Sequence, residues 1–488
     1  MSESLIEARV EKIRALRERG IDPFPARVPE VRPIDEIITR FGHLSPEAHS
    51  GERTTIAGRL ISFRRMGKAS FFDLQDGSGK IQVHATVDRL GDDYRVLCET
   101  DIGDFLAVSG EVFRTKRGEL SVGAEGWTFL SKAIRPLPEK WHGLKDVETR
   151  HRHRSLDLIA NEDVRRAFVN RARMISTIRR VLDEAGFLEV ETPVLQTVAS
   201  GGHARPFVTH HNTLDVDMYL RIALELHLKR LLVGGFDRVY EISKCFRNEG
   251  ISTEHNPEFT MLELYQAYAD YEDMMTLAER LITESLRVTV GDLRVDYQGR
   301  KIDFEPPWSR VGLIESVADA TGIGPDVLRT EQAVRRAVEK GIDPAPTSVG
   351  EAIESLFERF VEPNLVRPTF IIDYPVEISP LAKRNPSDEG LVERFELFAA
   401  GMELANAFTE LNDPIDQRAR FEAQERLREQ GYEEAQRIDE DFLFAIEHGM
   451  PPAGGMGIGV DRMAMLCTGQ RSIRDVILFP ALRKKDEG

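Results

Sequence analysis

Residues 246–265 read Phe246-Arg-Asn-Glu-Gly-Ile-Ser-Thr-Glu-His-Asn-Pro-Glu-Phe-Thr-Met-Leu-Glu-Leu-Tyr265. The turn formers Gly250, Ser252, Asn256 and Pro257 mark a loop, and the run 259–265 after it predicts a strand. Strand side chains alternate between faces, so Phe259, Glu263 and Tyr265 share one. The strand-loop-strand unit brings Arg247, Glu249 and His255 to the same place. An aromatic plane, a carboxylate and a phenol then look into one space, which suits a nucleotide held without a glycine-rich phosphate loop.

Working outward, no Gly-x-x-x-x-Gly-Lys-[Ser/Thr] occurs, so any nucleotide must be held by other groups. Near the C-terminal end, Gly454-Gly-Met-Gly-Ile-Gly-Val-Asp-Arg-Met-Ala-Met-Leu predicts a strand running into a helix. Gly455, Gly457 and Gly459 fall on one face, a flat floor that a purine or ribose can approach closely. Arg462 opens the following helix, where free amides and positive charge suit a phosphate. The structural alternative has glycines for tight packing and Arg462 paired with Asp461 or a nearby Glu. An acidic set completes the picture: Glu225, Glu263, Glu396, Glu403 and Glu410. Asn406, Phe408 and Glu410 share a strand face by parity, whereas Glu403 points opposite unless a bulge intervenes. Buried carboxylates need cations, supplied by an ammonium substrate and a metal, or by ion pairs with Arg221, Arg247 and Lys229.

Upstream, short β-rich runs begin at Thr55, Ser70, Ile81, Phe105 and Leu120 and predict a five-stranded barrel. Arg59, Arg64, Arg65, Lys68, Arg114, Lys116 and Arg117 gather there around Phe71 and Phe72, as a single-strand stacking surface requires. A barrel with phenylalanines in its core and solvated arginines fits equally well. A stripe of Leu5, Ile6, Val10, Ile13 and Leu16 predicts a docking helix; Glu3, Glu7 and Glu11 argue against a targeting peptide. Val164, Phe168, Ala172, Ile175, Ile178 and Leu182 predict a long helix over 161–185, followed by a strand, Phe187-Leu-Glu-Val-Glu-Thr-Pro193.

The 488 residues, 41% hydrophobic and 30% charged, are ordinary for a globular chain of several domains. No run of about 18 apolar residues suggests a membrane span. Cys98, Cys245 and Cys467 are far apart, which disfavours a zinc knuckle or disulfide framework and fits a reducing cytoplasm. A formal net charge of -17 disfavours indiscriminate binding to nucleic acid, so such a partner must be met by a local patch.

Together these stretches closely resemble the three signature motifs of class II aminoacyl-tRNA synthetases. The helix ending Gly-Phe-Leu-Glu-Val-Glu-Thr-Pro193 resembles the first, dimer-forming motif. Phe246-Arg-Asn-Glu249 through Phe259 resembles the second, and Gly457-Ile-Gly-Val-Asp-Arg462 the third. Ala204-Arg-Pro-Phe-Val-Thr-His-His-Asn, Tyr219-Leu-Arg-Ile-Ala-Leu-Glu-Leu and Ala405-Asn-Ala-Phe-Thr-Glu-Leu-Asn-Asp-Pro are similar to bacterial-type lysyl-tRNA synthetases, a resemblance that spans nearly the whole chain.

The resemblance implies an α+β fold. It comprises an N-terminal helical extension (1–50), an OB-fold anticodon-binding barrel (51–140), a linker (141–160) and a class II catalytic domain (161–488) with an antiparallel sheet flanked by helices. It implies a cytoplasmic homodimer that joins L-lysine to tRNA(Lys) at the expense of ATP, with Mg2+, about three ions per subunit. Arg247 and Arg462 would be catalytic, holding phosphates of ATP, with Glu249, His255 and Asn256 around an adenine stacked on Phe259. Gly201, Glu225, Glu263, Tyr265, Asn406, Phe408 and Glu410 would bind lysine, and Glu396 and Glu403 the metal. Phe71, Gln82 and Glu119 would read the anticodon. Ser200-Gly-Gly-His203 and Glu254 depart from the family pattern. An aspartyl or asparaginyl enzyme of the same architecture would need an arginine where Glu263 and Glu410 stand. A lysyl-synthetase-like enzyme that modifies a protein is disfavoured by the intact barrel. A catalytically dead nucleic-acid-binding relative is disfavoured because Arg247, Arg462 and both metal carboxylates are present.

Overall fold

The computed structural model describes residues 2–28, 30–137, 144, 146–199, 201–202, 204–429 and 437–483. Ser200 and His203, and residues 141–143 and 145 of the expected linker, lie outside these. The chain divides into two compact units, Met1–Gly143 and Leu144–Gly488.

In the first unit all five expected strands form and run longer than the β-rich cores suggested: His49–Met66, Ala69–Gln75, Lys80–Thr86, Phe105–Arg114 and Leu120–Ser131. They close into a barrel in which the third strand pairs in parallel with the fifth. Alternation decides the ambiguity at residues 71 and 72. Phe72 is buried with Ile56, Leu60, Leu74, Val83 and Val108, while Phe71 points outward. The N-terminal helix Ser2–Glu18 docks only through its second half. Leu16 joins the barrel core, Arg9 donates to the carbonyls of Ala133 and Arg135, and Lys12 pairs with Asp101 at 2.8 Å. Leu5, expected on the docking stripe, is exposed because the helix has left the barrel by that point.

The second unit is built on a nine-stranded sheet. From one edge its strands run Ser309–Gly312, Thr369–Pro375, Asp388–Ala399, Met402–Thr409, Ala453–Gly459, Glu258–Ala267, Arg238–Phe246 and Leu188–Glu189, with Arg384–Asn385 paired beside the third. The central six strands are antiparallel. One face is covered by helices Glu162–Glu184, Tyr271–Thr289 and Val460–Thr468, whose Met174, Ile178, Ala278, Leu281 and Met463 pack on Leu262, Leu264, Ala407, Met456 and Ile458. The first of these helices turns its stripe slightly from the expected one: Val164, Ala167, Met174, Ile178 and Val181 face inward and Ala172 is exposed. Of the expected strand 187–193 only Leu188–Glu189 pairs, in parallel with Val239 and Tyr240. Residues 147–160, expected in a linker, form helices Val147–Arg152 and Arg154–Ala160, and buried Arg154 holds Asp157 and the carbonyls of Arg474 and Leu478.

A β-bulge intervenes where parity required one. Leu397 pairs with Ala405 but Phe398 with Glu403, leaving Leu404 over. Leu404, Ala405 and Ala407 all face the helices, so Glu403 and Asn406 look out on the same opposite face.

Since Phe72 fills the barrel and Phe71 does not, Phe72→Ala should cost ~3–5 kcal/mol of folding stability by denaturant unfolding and Phe71→Ala no more than about 1. Equal losses would place both rings in the core.

Candidate active site

Strand register arranges the face of the sheet opposite those three helices in two rows. Across neighbouring strands one row runs Glu263, Gly457, Asn406, Glu396, and the next runs Tyr265, Gly455, Phe408, Arg394. A glycine lies inside each row, and the space it leaves is used. A Cβ on Gly455 would fall 2.0 Å from Glu410 Oε1 and 2.4 Å from the Tyr265 ring. The rows therefore border a cavity of about 350 Å³ rather than a packed surface.

Arg247, Glu249, His255, Asn256, Phe259 and Arg462 line this cavity, as do Gly201, Glu225, Glu263, Tyr265, Asn406, Phe408 and Glu403. Glu410 and Glu396 lie just behind the lining. Glu410 touches the Gly455 floor, and Glu396 accepts from Arg394 at 2.6 Å and from the Tyr374 hydroxyl at 2.9 Å. Glu254, which departs from the family pattern, is on the wall.

The loop 250–257 is held from the far end of the chain. Ile473 N donates to the Thr253 carbonyl at 2.8 Å, and Arg474 donates to the Ser252 carbonyl. Ala481 N donates to Asn256 Oδ1 at 3.1 Å, while Asn256 Nδ2 donates to the Glu258 carbonyl at 2.5 Å. The Asn256 amide thus anchors the loop by both ends. Arg247 lies 5.2 Å from the centre of the Phe259 ring, and its buried Nε has no hydrogen-bond partner among the described residues. A buried cationic donor left so is an anion-binding group in waiting. Arg462 pairs with Glu403 at 3.0 Å, not with its neighbour Asp461. Asp461 instead accepts from Thr260 N and pairs with Arg171 at 2.6 Å, clamping the Glu162–Glu184 helix to the site.

The acidic set splits into two groups. Glu225, Glu263 and Glu410 surround Lys229, whose Nζ is fully buried 2.5 Å from Glu410 Oε2 and bonded to Glu225. Arg221 pairs with Glu241 instead, at 2.8 Å. Glu263 accepts from Leu224 N and the Tyr265 hydroxyl, both at 3.0 Å. Burial, with the charge of Glu225 added, still pushes its carboxyl up to about 7. Glu410 is also pushed up by burial, against the pull of Lys229, and its Oε1 has no hydrogen-bond partner among the described residues. The second group is Glu396 with Glu403. Burial, opposed by Arg394 and reinforced by Glu403 and Glu354, pushes Glu396 up to about 7.

Arg394 went unnoticed in the sequence although it alternates with Glu396 on one strand face. It is buried and reaches Asn406 Oδ1, Ser379 Oγ and the Ile378 carbonyl as well as Glu396. On the barrel, Phe71 stacks on His84 with ring centres 4.5 Å apart, Gln82 accepts from Ser121 and Glu119 is exposed. His84 shares the face of Gln82 by simple alternation and belongs to an outward row of rings that continues through Phe113 to His49.

The fold and site together are those of a class II tRNA synthetase. The family model for tRNA synthetases class II (D, K and N) matches residues 146–483, and that for the OB-fold nucleic acid binding domain matches 54–130. The chain is 54% identical over 486 residues to the lysine--tRNA ligase of Moorella thermoacetica, covering 99% of this chain and 98% of the relative. It is 50% identical over 485 residues to that of Bacillus subtilis, covering 98% and 97%. The chain belongs to the lysine--tRNA ligase family.

The row geometry makes Gly455 the more demanding of the two floor positions. Gly455→Ala should lower stability by ~1–3 kcal/mol, whereas Gly457→Ala, whose new Cβ comes no closer than 3.3 Å to any neighbour, the Met261 methyl, should cost less than about 1. Thermal unfolding of the two variants side by side checks this, and equal tolerance would mean that Glu410 and Tyr265 do not crowd the floor.

Proposed function

We propose that the protein activates L-lysine with ATP to lysyl-adenylate, releasing diphosphate, and transfers the lysyl group to the 3'-terminal adenosine of tRNA(Lys). One observation carries the choice of amino acid. Three buried carboxylates, Glu225, Glu263 and Glu410, stand together with a single resident ammonium, Lys229, which pairs with Glu225 and Glu410 only. Such a pocket calls for a cationic side chain. An anionic substrate would need an arginine where Glu263 and Glu410 stand.

In this reading Glu225, with Gly201 beside it, receives the α-ammonium, Glu263, Tyr265 and Glu410 the ε-ammonium, and Asn406 and Phe408 line the stem. Adenine stacks on Phe259 with Glu249, His255 and Asn256 around it. The lysine carboxylate attacks the α-phosphorus, a phosphorus–oxygen bond forms and diphosphate leaves. Arg247 holds the α-phosphate and the attacking carboxylate in line, and Arg462 holds the far phosphates. Positioning and charge neutralisation carry the step, with no protein nucleophile. In the second step a ribose hydroxyl of the terminal adenosine takes the lysyl group and AMP leaves.

Glu396 and Glu403 fit a divalent cation. Both offer hard oxygens from adjacent strands, and the raised Glu396 carboxyl marks a place short of positive charge. No group of three or more His, Cys, Asp or Glu side chains among the described residues forms a cage, so substrate phosphates would have to complete the ligand set. Mg2+, about three ions per subunit by the family resemblance, would supply charge to the triphosphate oxygens. The remaining readings have narrower support. The exposed Val169, Leu188, Val194 and Leu195 offer an apolar surface for a homodimer partner. The free thiols of Cys98, Cys245 and Cys467 suit the cytoplasm, and no described helix is long and apolar enough to cross a membrane. By function, 1–50 is an extension, 51–140 the anticodon-binding barrel, 141–160 a connection and 161–488 the catalytic domain.

Amino-acid-dependent exchange of diphosphate into ATP, measured without tRNA, tests the pocket. Lysine should be the substrate and ornithine, one methylene shorter, the hardest competitor at about 1–3 kcal/mol. Leucine and methionine should be rejected by up to ~5 kcal/mol, because they leave carboxylates unpaired. Leucine or methionine activated better than ornithine would contradict the assignment. On the barrel, Phe71→Ala should lose ~1–3 kcal/mol of tRNA affinity in a filter-binding or anisotropy titration, with exchange unchanged. A matching loss of exchange would remove Phe71 from anticodon reading.

A further inference from the structure

Lys229 follows Glu225 by one turn on the helix Glu225–Val233 and is wholly buried. Its Nζ donates to Glu225 and lies 2.5 Å from Glu410 Oε2, 5.1 Å from the centre of the Phe408 ring, and 6.0 Å from those of Tyr265 and Phe442. Glu225, Phe408 and Tyr265 line the cavity, so this ammonium sits directly behind the surface a substrate would touch. Burial opposes its charge, but Glu225 and Glu410 more than offset that and its pKa is raised. Glu263 and Tyr265 face the same space from the neighbouring strand and are bonded to each other, and Phe442 brings no charge.

Counting groups shows what the pocket lacks. Three carboxyls, Glu225, Glu263 and Glu410, face one resident ammonium, Lys229. A lysine substrate brings an α- and an ε-ammonium, which gives three cationic groups for three carboxyls, while its own carboxylate falls to Arg247. We propose that Lys229 is a positioning residue for amino-acid recognition: it holds Glu225 and Glu410 from behind, keeps one Glu410 oxygen turned to the cavity, and sets the pocket charge that a diammonium substrate completes. The inference rests on the lysine-pocket reading above and adds to it the group that makes the pocket selective.

The state of Glu410 supports this. Its backbone N donates to Ala453 O at 2.8 Å, and Lys229 holds Oε2. Oε1, buried and without a hydrogen-bond partner among the described residues, occupies the space over Gly455. Lys229 is also the group that pulls the Glu410 carboxyl down against burial and the charges of Glu225 and Glu263. Without Lys229, Glu410 keeps a proton further into the alkaline range and meets the ammonium as a neutral carboxyl, a weaker acceptor.

Lys229→Met in the full chain tests the proposal, with lysine-dependent exchange kinetics and calorimetric titration of lysine. At pH 7 the KM for lysine should rise at least tenfold while that for ATP stays within twofold. A wild-type lysine KM, or an equal rise in both KM values, would overturn the proposal and leave Lys229 as a space-filling residue. The double variant Lys229→Met/Glu410→Gln removes both partners of the buried pair. It should fold and bind lysine at least tenfold more weakly than wild type. A double variant that keeps wild-type affinity, or that fails to fold, overturns the account. Absence of lysine-dependent exchange in the wild type would instead sink the pocket reading itself.

Discussion

A carboxylate buried on the face of a β-sheet has to be given a cation, and this constraint organises the catalytic unit. The penalty for leaving such a group alone runs to several kcal/mol, comparable to the net stability of a domain. The sheet meets it twice. Toward one part of the cavity, Glu225 and Glu410 share Lys229 while Glu263 leans on a backbone amide and a tyrosine hydroxyl. Toward the other, Glu396 takes Arg394 and Glu403 takes Arg462. In the first group the cations fall short of the carboxylates, and in the second the arginines are close enough to substrate space to be shared with phosphates. In the proposed reading, the unbalanced charge is what makes the face a binding site rather than a set of structural ion pairs.

The remainder of the unit keeps that face in register. Glycines within the rows at 455 and 457 make room for Glu410, Tyr265 and a ligand without breaking the ladder. The bulge at Leu404 brings Glu403 round to the face of Asn406. Arg171 ties the long helix to Asp461, one residue before Arg462, so packing on the covered face fixes the position of an arginine near the open one. The loop after Phe246 hangs on hydrogen bonds from residues 473–481, which places this later segment among the determinants of the loop's position on the cavity wall.

Much of this was legible because period-2 alternation is a local rule. It placed Phe259, Glu263 and Tyr265 on one face, put the three glycines on another strand's face and gave all five barrel strands. It also named the two structural possibilities at Glu403, and pairing with the neighbouring strand decided between them. What stayed hidden depends on partners distant in sequence. Nothing near Asn256 announces that its amide is held by Ala481, and nothing near Arg462 says that Glu403 rather than Asp461 is its partner. The 187–193 segment has strand-forming residues but only Leu188 and Glu189 find a neighbour, since pairing depends on the sheet edge beside it. His84 and Arg394 follow from the same alternation rule, since they share strand faces with Gln82 and Glu396.

The central claim is that buried, under-compensated carboxylates hold the substrate's side-chain ammonium. It is tested most directly by calorimetric titration of the wild-type protein with lysine and with norleucine, which has the same carbon chain with a hydrogen in place of the ε-ammonium. The account predicts that norleucine binds at least a hundredfold more weakly, a difference of about 2.8 kcal/mol. Norleucine binding within tenfold of lysine would show that the pocket recognises a hydrocarbon stem and that the three glutamates serve the fold alone.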